Sequence, residues 1–355
     1  MNQVLYTPGL GYYSAGVHKL GTAGDFITAP EISPLFSQCV ARQCQQILTA
    51  FEESVILELG AGSGMMAADL LIELERLNSL PKSYFILEIS ADLQQRQQVT
   101  LQTKVPHLFE RIHWLTQLPS QPLQGVILAN EVLDAMPVQR FRLDEQGVSE
   151  CYVGLASSTD NSAEIPFIWQ IKPTCNPLLR TAVETLRPII PIDYISEINL
   201  ALPAWFQTIA DILTAGMVLL IDYGFPRREY YHPQRHQGTL MCHYRHHAHH
   251  DPLILVGLQD ITAHVDFTAV AEAAVAANLN IGGYTTQAHF LLASGLPDLL
   301  NALDPNDTKT YLQYTQQVKK LTFPNEMGEL FKVMALTRNC NLDLLGFTQD
   351  ESARL

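Results

Sequence analysis

Apolar residues recur at helical spacing from about Ser33 to Ala50, after which short β-branched runs alternate with helical ones. The segments predict a strand at Val55 to Leu59, a helix at Met65 to Leu77, a strand at Tyr84 to Ile89 and a helix at Ala91 to Thr103. A short strand near Ile112 to Leu115 and a buried one at Gly125 to Ala129 follow. Such alternation implies a mainly parallel sheet with helices on both faces. At Val138 the rhythm breaks. "VQRFRLDEQGVSECYVGLA" and "IPFIWQIKP" read as short antiparallel strands, joined by the polar stretch "SSTDNSAEI". The rhythm resumes with a helix around Leu202 to Thr214, the buried strand "GMVLLIDYG", an alanine-rich helix at Phe267 to Ala277 and a terminal helical region. The expected organisation is a lid and helix over residues 1–50, the first part of an α/β core over 51–137, an inserted β-rich subdomain over 138–191 and the rest of the core over 192–355. Residues 1 to about 35, rich in Gly, Pro, Thr and Ser, are expected to form an ordered loop region.

Composition narrows the class. With 47% hydrophobic and 16% charged residues in 355, the chain can bury a large core and is not a disordered one. Its longest apolar candidate for a membrane span, Phe267 to Ile281, is short and carries Glu272. Lys and Arg number 22 against 36 Asp and Glu, a net charge of -14, which argues against a nucleic-acid partner because phosphates are repelled. Six scattered cysteines without a C-x-x-C predict reduced thiols, and the first residues show neither a basic nor an apolar leader, so a cytoplasmic setting is expected.

The chemistry concentrates in "VILELGAGSGMMAADLLIEL". A strand ending in a glycine turn that opens a helix makes an anion site from unpaired N–H groups and the helix dipole. The spacing Gly60, Gly62, Gly64 leaves Met65 where a dinucleotide fingerprint needs its third glycine, so NAD is disfavoured. Glu58 lies in the strand before the turn, and Glu88, next to Ile89, closes the following strand where a carboxylate accepts both hydroxyls of a ribose. The pattern E-L-G-x-G-x-G with this acid resembles the S-adenosylmethionine (SAM) site of class I methyltransferases. It implies a Rossmann-like, mainly parallel seven-stranded sheet with SAM as cofactor and S-adenosyl-homocysteine as product. Asn130, just past the strand "GVILAN", would face the same crevice, so Glu58, Gly60, Gly62, Gly64, Glu88, Ile89 and Asn130 are the expected cofactor residues.

Acids and one histidine cluster around these positions: Glu131 and Asp134 in "NEVLDAMP", Asp25 and Glu31 in "GDFITAPEISPLF", and Asp260, Asp266 and His264 in "GLQDITAHVDF". Together with "GYYS", "IDYG", "GTLMCHYRHHAHHDPL" and "TTQAHFLLASG", these motifs identify the chain as similar to the MidA-like family from Tyr6 to Gly295. The resemblance implies a SAM-dependent protein arginine methyltransferase, with a complex I type subunit as protein partner. Members of that family carry a further helical segment ahead of "YTPGLGYYS", so a less complete closure over the cofactor is expected here. A guanidinium stays charged and needs carboxylates that orient it bidentately, which favours Glu131 and Asp134 as the clamp, with Asp25, Glu31 and Asp266 as alternatives. His264 or Asp260 would accept a proton or orient the clamp. Methylation of a small molecule, and a SAM-binding assembly chaperone without turnover, are the competing readings. The histidine-rich stretch His232 to His250 has no H-E-x-x-H or converging spacing, so it is expected to pack over the pocket rather than hold a metal.

Overall fold

The computed structural model describes residues 1–13, 27–156 and 167–355. Strands β1 (Val55–Leu59), β2 (Tyr84–Leu87), β3 (Ile112–Leu115) and β4 (Leu123–Asn130) pair in parallel. The chain then leaves the sheet for β5 (Gln139–Asp144), β6 (Gly147–Leu155), β7 (Phe167–Pro173) and β8 (Tyr194–Ile198), which form a separate antiparallel sheet in the order β7-β6-β5-β8. It returns as β9 (Leu213–Phe225) beside β4. A three-stranded sheet follows, of β10 (Met241–Tyr244), β11 (His247–His249) and β12 (Asp260–Thr262). The two-residue β13 (Val265–Asp266) pairs with the end of β9, and β14 (Asn280–Thr286) and β15 (Phe331–Arg338) complete the main sheet. Its order is β14-β15-β9-β4-β1-β2-β3, seven strands in which β15 runs against both neighbours.

Central strands read as unbroken apolar runs because both faces are covered. Successive side chains of β4 enter opposite cores. Val126 and Leu128 pack with Phe36, Ile47 and Leu70, whereas Ile127 and Ala129 pack with Phe206 and Phe267. The helices Pro34–Ala50 and Met65–Arg76 cover the first face, and Leu202–Ile212 and Phe267–Ala276 the second. The chain runs outward from β1 through β2 to β3 and then crosses back to β4 on the other side of β1. Strand order thus reverses between β1 and β4, and the crevice past their carboxyl ends is where such sheets take ligands.

Several expectations are corrected. The inserted sheet runs past residue 191 to Ile198, because Tyr194–Ile198 pairs antiparallel with β5. Between the inserted strands lies an unforeseen helix, Pro177–Leu186, started by Pro177 and by Asn176, whose side chain accepts the Leu178 N–H at 3.0 Å. Its Leu179 and Val183 fill the core of that sheet against Phe141 and Leu143. The region read as loop opens with a helical turn, Asn2–Tyr6, pinned by the buried Leu5. Asp25 and the polar connection 157–165 lie outside the described residues. Among the described residues no helix is long and apolar enough to cross a membrane.

Candidate active site

The glycine turn after β1 is left-handed three times, at Gly60 (φ 67°), Gly62 (φ 53°) and Gly64 (φ 82°), a conformation that costs other L-residues about 1–2 kcal/mol each. The Gly60 N–H donates to the Leu87 carbonyl at 3.1 Å, tying the turn to the end of β2. Space is also short: a Cβ on Gly64 would stand 3.2 Å from the Cα of Gln97. Gln97 is buried and works as a brace. Its Nε2 donates to the Gly62 carbonyl at 3.0 Å and to Glu88 Oε2 at 3.1 Å, while Trp114 Nε1 donates to its Oε1 at 2.9 Å. Glu88 also accepts the Ser90 N–H at 2.9 Å. Behind the turn, Tyr84 donates to Glu58 at 2.8 Å, and burial pushes the Glu58 carboxyl up to about 7.

These groups border a cavity of about 320 Å³ walled by Gly60, Gly62, Glu88, Ile89, Asn130 and Trp205. Asn130 Oδ1 is buried there without a hydrogen-bond partner. An orphaned acceptor at the end of β4, a carboxylate at the end of β2 and an apolar wall suit an adenosyl amino acid. The ammonium group, the ribose diol and the base would find an acceptor, a carboxylate and an apolar surface respectively.

A second cavity of about 250 Å³ shares Tyr13 and Glu131 with the first. Glu131 follows β4 in a left-handed conformation, φ 53°, held by its N–H donating to Ile221 at 2.8 Å. Asp134 sits in the next turn. That turn is fixed from β9, where Asp222 accepts the N–H groups of Leu133 (2.9 Å), Asp134 (3.2 Å) and Tyr223 (2.9 Å). Tyr223 donates its hydroxyl to Asp134 at 2.5 Å, and Tyr13 donates to Asp260 at 2.8 Å. Burial, then the charge of Asp134, pushes Glu131 up to about 8. Burial lifts Asp134 to about 6 against the pull of Tyr223, and it lifts Asp222 well above the carboxylate range. Glu131, Asp134 and Asp260 face this cavity with Tyr223 and His264, and no Lys or Arg stands among its described lining residues.

Not every expected residue arrives. Asp266 is turned away, because it caps the helix Phe267–Ala276 by accepting the N–H groups of Thr268 and Ala269, both at 3.1 Å, and it pairs with Arg227 at 3.3 Å. Glu31 bonds to Ser63 and so fastens Thr28 and Pro30 over the glycine turn, on the cofactor side rather than among the acids. His264 packs edge-on against Tyr223, centroids 5.3 Å apart, and burial lowers it to about 4, leaving it neutral and able to orient that tyrosine. Within the histidine stretch, His232 and His236 flank the short turn Pro233–Arg235, and residues 241–249 form the hairpin β10–β11, whose turn residues Arg245 and His246 both have positive φ; only His243 of the stretch reaches the second cavity among the described residues. Gln97, Tyr13, Asp222 and Tyr223 were not anticipated. For the last two a signal existed, since "IDYG" ends a buried strand just as "GVILAN" does.

A seven-stranded sheet with one reversed strand, a glycine turn after β1 and an acid closing β2 define a class I SAM-dependent methyltransferase. Residues 39–285 match a family of S-adenosyl-L-methionine-dependent methyltransferases, and the chain belongs to that family. A Burkholderia thailandensis protein crystallised with S-adenosyl-homocysteine superimposes with a TM-score of 0.94 at 42% identity, over 100% of this chain and 90% of that one. The mitochondrial protein arginine methyltransferases NDUFAF7 of Danio rerio and Homo sapiens are 28% and 29% identical to the present chain, over 96% and 95% of its length and 83% and 78% of theirs. The chain is thus a SAM-dependent methyltransferase.

Proposed function

We propose that the chain methylates an arginine side chain presented by a protein partner of the complex I subunit type. The observation that carries this reading is the second cavity: carboxylates held above their ordinary range by burial, no cationic side chain among the described residues lining it, and a shared wall with the cofactor cavity. A guanidinium is the cation that best satisfies such a site, since it stays charged and offers a planar fork of donors. The relatives named arginine methyltransferases support it.

Bound SAM supplies an electrophilic methyl group on a sulfonium. The chain's own residues do the rest. Glu131 and Asp134 clamp the guanidinium, each charge-assisted hydrogen bond contributing about 1.5–3 kcal/mol. Asp222 positions Asp134 through the backbone, and Tyr223 holds its carboxylate in place. As the nitrogen gains a methyl it must lose a proton. The bound guanidinium favours the ionised form of Glu131, and a carboxylate whose proton affinity burial has raised suits that transfer, whereas His264 near 4 does not.

The test is transfer of labelled methyl from SAM to a peptide with one central arginine. The expected result is label on that peptide, lost when lysine replaces the arginine and lost with Glu131→Gln. Label found only on small molecules, or SAM binding with no transfer to any protein, would overturn the reading.

A further inference from the structure

Near the acidic cavity the chain displays apolar side chains that belong to no core cluster among the described residues. The loop between β11 and β12 carries Ile254 (49% exposed), Leu255, Val256 and Leu258 (59% exposed), and Leu10, 77% exposed, lies next to it. The two pieces lie close together, for a Cβ on Gly257 would lie 3.7 Å from the Leu10 carbonyl oxygen. The loop is also built to hold this shape. Buried Gln259 donates to the carbonyls of Asp251 (3.3 Å) and Ile254 (2.7 Å), and the Leu258 N–H donates to Leu255 at 2.9 Å. Leu255 itself sits at φ 47°, an unfavourable conformation for leucine. Five exposed apolar side chains held on one short loop and the turn beside it point to an interaction site rather than a stray residue.

Both pieces lead into the acidic cavity. The loop runs directly into Asp260, and the turn carrying Leu10 runs into Tyr13, which donates to that same Asp260 at 2.8 Å. The nearest apolar residues, Leu258 and Leu10, therefore lie two and three positions from the cavity-lining Asp260 and Tyr13 on their chain segments. We propose that the shelf formed by Leu10, Ile254, Leu255, Val256 and Leu258 docks an apolar side chain flanking the target arginine in an extended segment of the protein substrate. The inference rests on the arginine reading and adds its specificity element. In an extended segment alternate side chains fall on one face about 7 Å apart, so an apolar residue roughly two to four positions from the arginine would reach the shelf.

The test compares two synthetic peptides, a central arginine flanked by glycines and the same peptide with leucine two positions to either side. The leucine peptide should show a KM lower by about five- to tenfold, a fraction of what full burial of a leucine provides. The double variant Ile254→Ser, Leu258→Ser should erase that gain. Its SAM affinity, its turnover of the glycine peptide and its thermal midpoint should match those of the unaltered chain. Equal KM values for the two peptides would overturn the inference while leaving the arginine reading intact. Failure to methylate either peptide with SAM bound would overturn the arginine reading and the inference with it. Should the double variant instead break a dimer in sedimentation, or abolish flotation with phosphatidylcholine vesicles, without altering the KM ratio, the shelf is a contact between copies or with a bilayer and the inference fails.

Discussion

Replacing Glu131 by glutamine separates what this residue does for stability from what it does for function. In the unfolded chain its carboxyl ionises near its ordinary 4.5, but in the folded one only near 8, chiefly because of burial and then because of Asp134. Between those values the native state keeps a proton that the unfolded state has lost, so stability is fully present below the lower value and is lost as pH rises through the upper one. The slope is about 1.4 kcal/mol per pH unit for one proton, which over this window sets a ceiling of about 5 kcal/mol. Because the carboxylate faces a cavity that admits water, screening reduces the realised penalty to about 1–3 kcal/mol. A glutamine in its place would keep the shape without titrating. The variant should match the unaltered chain near pH ~5 and exceed its stability by about 1–3 kcal/mol near pH ~8.5, while methyl transfer falls about 100-fold for the loss of a charge-assisted pair. Urea unfolding followed by tryptophan fluorescence at both pH values, with single-turnover transfer alongside, measures the two effects. Parallel stability curves, or a variant that is less stable at the higher pH, would refute the reasoning. Such a penalty is what a cation site carries when empty, and the bound guanidinium would offset it.

Other perturbations read other parts of the site. Glu88→Ala should weaken SAM binding by calorimetry about 100-fold, since it removes a carboxylate suited to the ribose diol and one end of the Gln97 brace; unchanged affinity would remove it from the cofactor site. Gly64→Ala forces a left-handed alanine against Gln97, so about 1–2 kcal/mol of stability should go, together with SAM affinity. Tyr223→Phe removes the hydrogen bond that holds Asp134 down, so Asp134 should titrate higher and the acidic limb of the kcat/KM profile should move to higher pH. Asp266→Ala should cost about 1–2 kcal/mol through the lost helix cap and leave SAM affinity unchanged; a collapse of turnover in the folded protein would return Asp266 to the clamp.

Legibility in the sequence followed the range of the interactions. Strands β1 to β3 and the helices between them are local βαβ units, so their periodicities place the glycine turn, Glu58 and Glu88 at neighbouring strand ends before any tertiary contact is known, and Asn130 at the end of the next buried strand. Asp266 was ambiguous because an acid before an apolar helix reads equally as a ligand or a cap. Only the packing of Arg227 and the open N–H groups beside it decides for the cap. Gln97 is silent in the sequence, its role depending on helix Ala91–Lys104 lying against the turn.

The sequence by itself therefore determined the parallel core, the turn that receives the cofactor, and the strand-end acids, because steric limits on glycine and the periods of strand and helix act within a few dozen residues. Tertiary structure alone decided the substrate side. Asp222 reaches the turn of Leu133 from 89 positions away because β9 pairs with β4, with Asn130 opposite Ile221, and Tyr13 meets Asp260 across 247. Burial and mutual repulsion then set the charge state of these acids, and neither exists until the chain has closed around them.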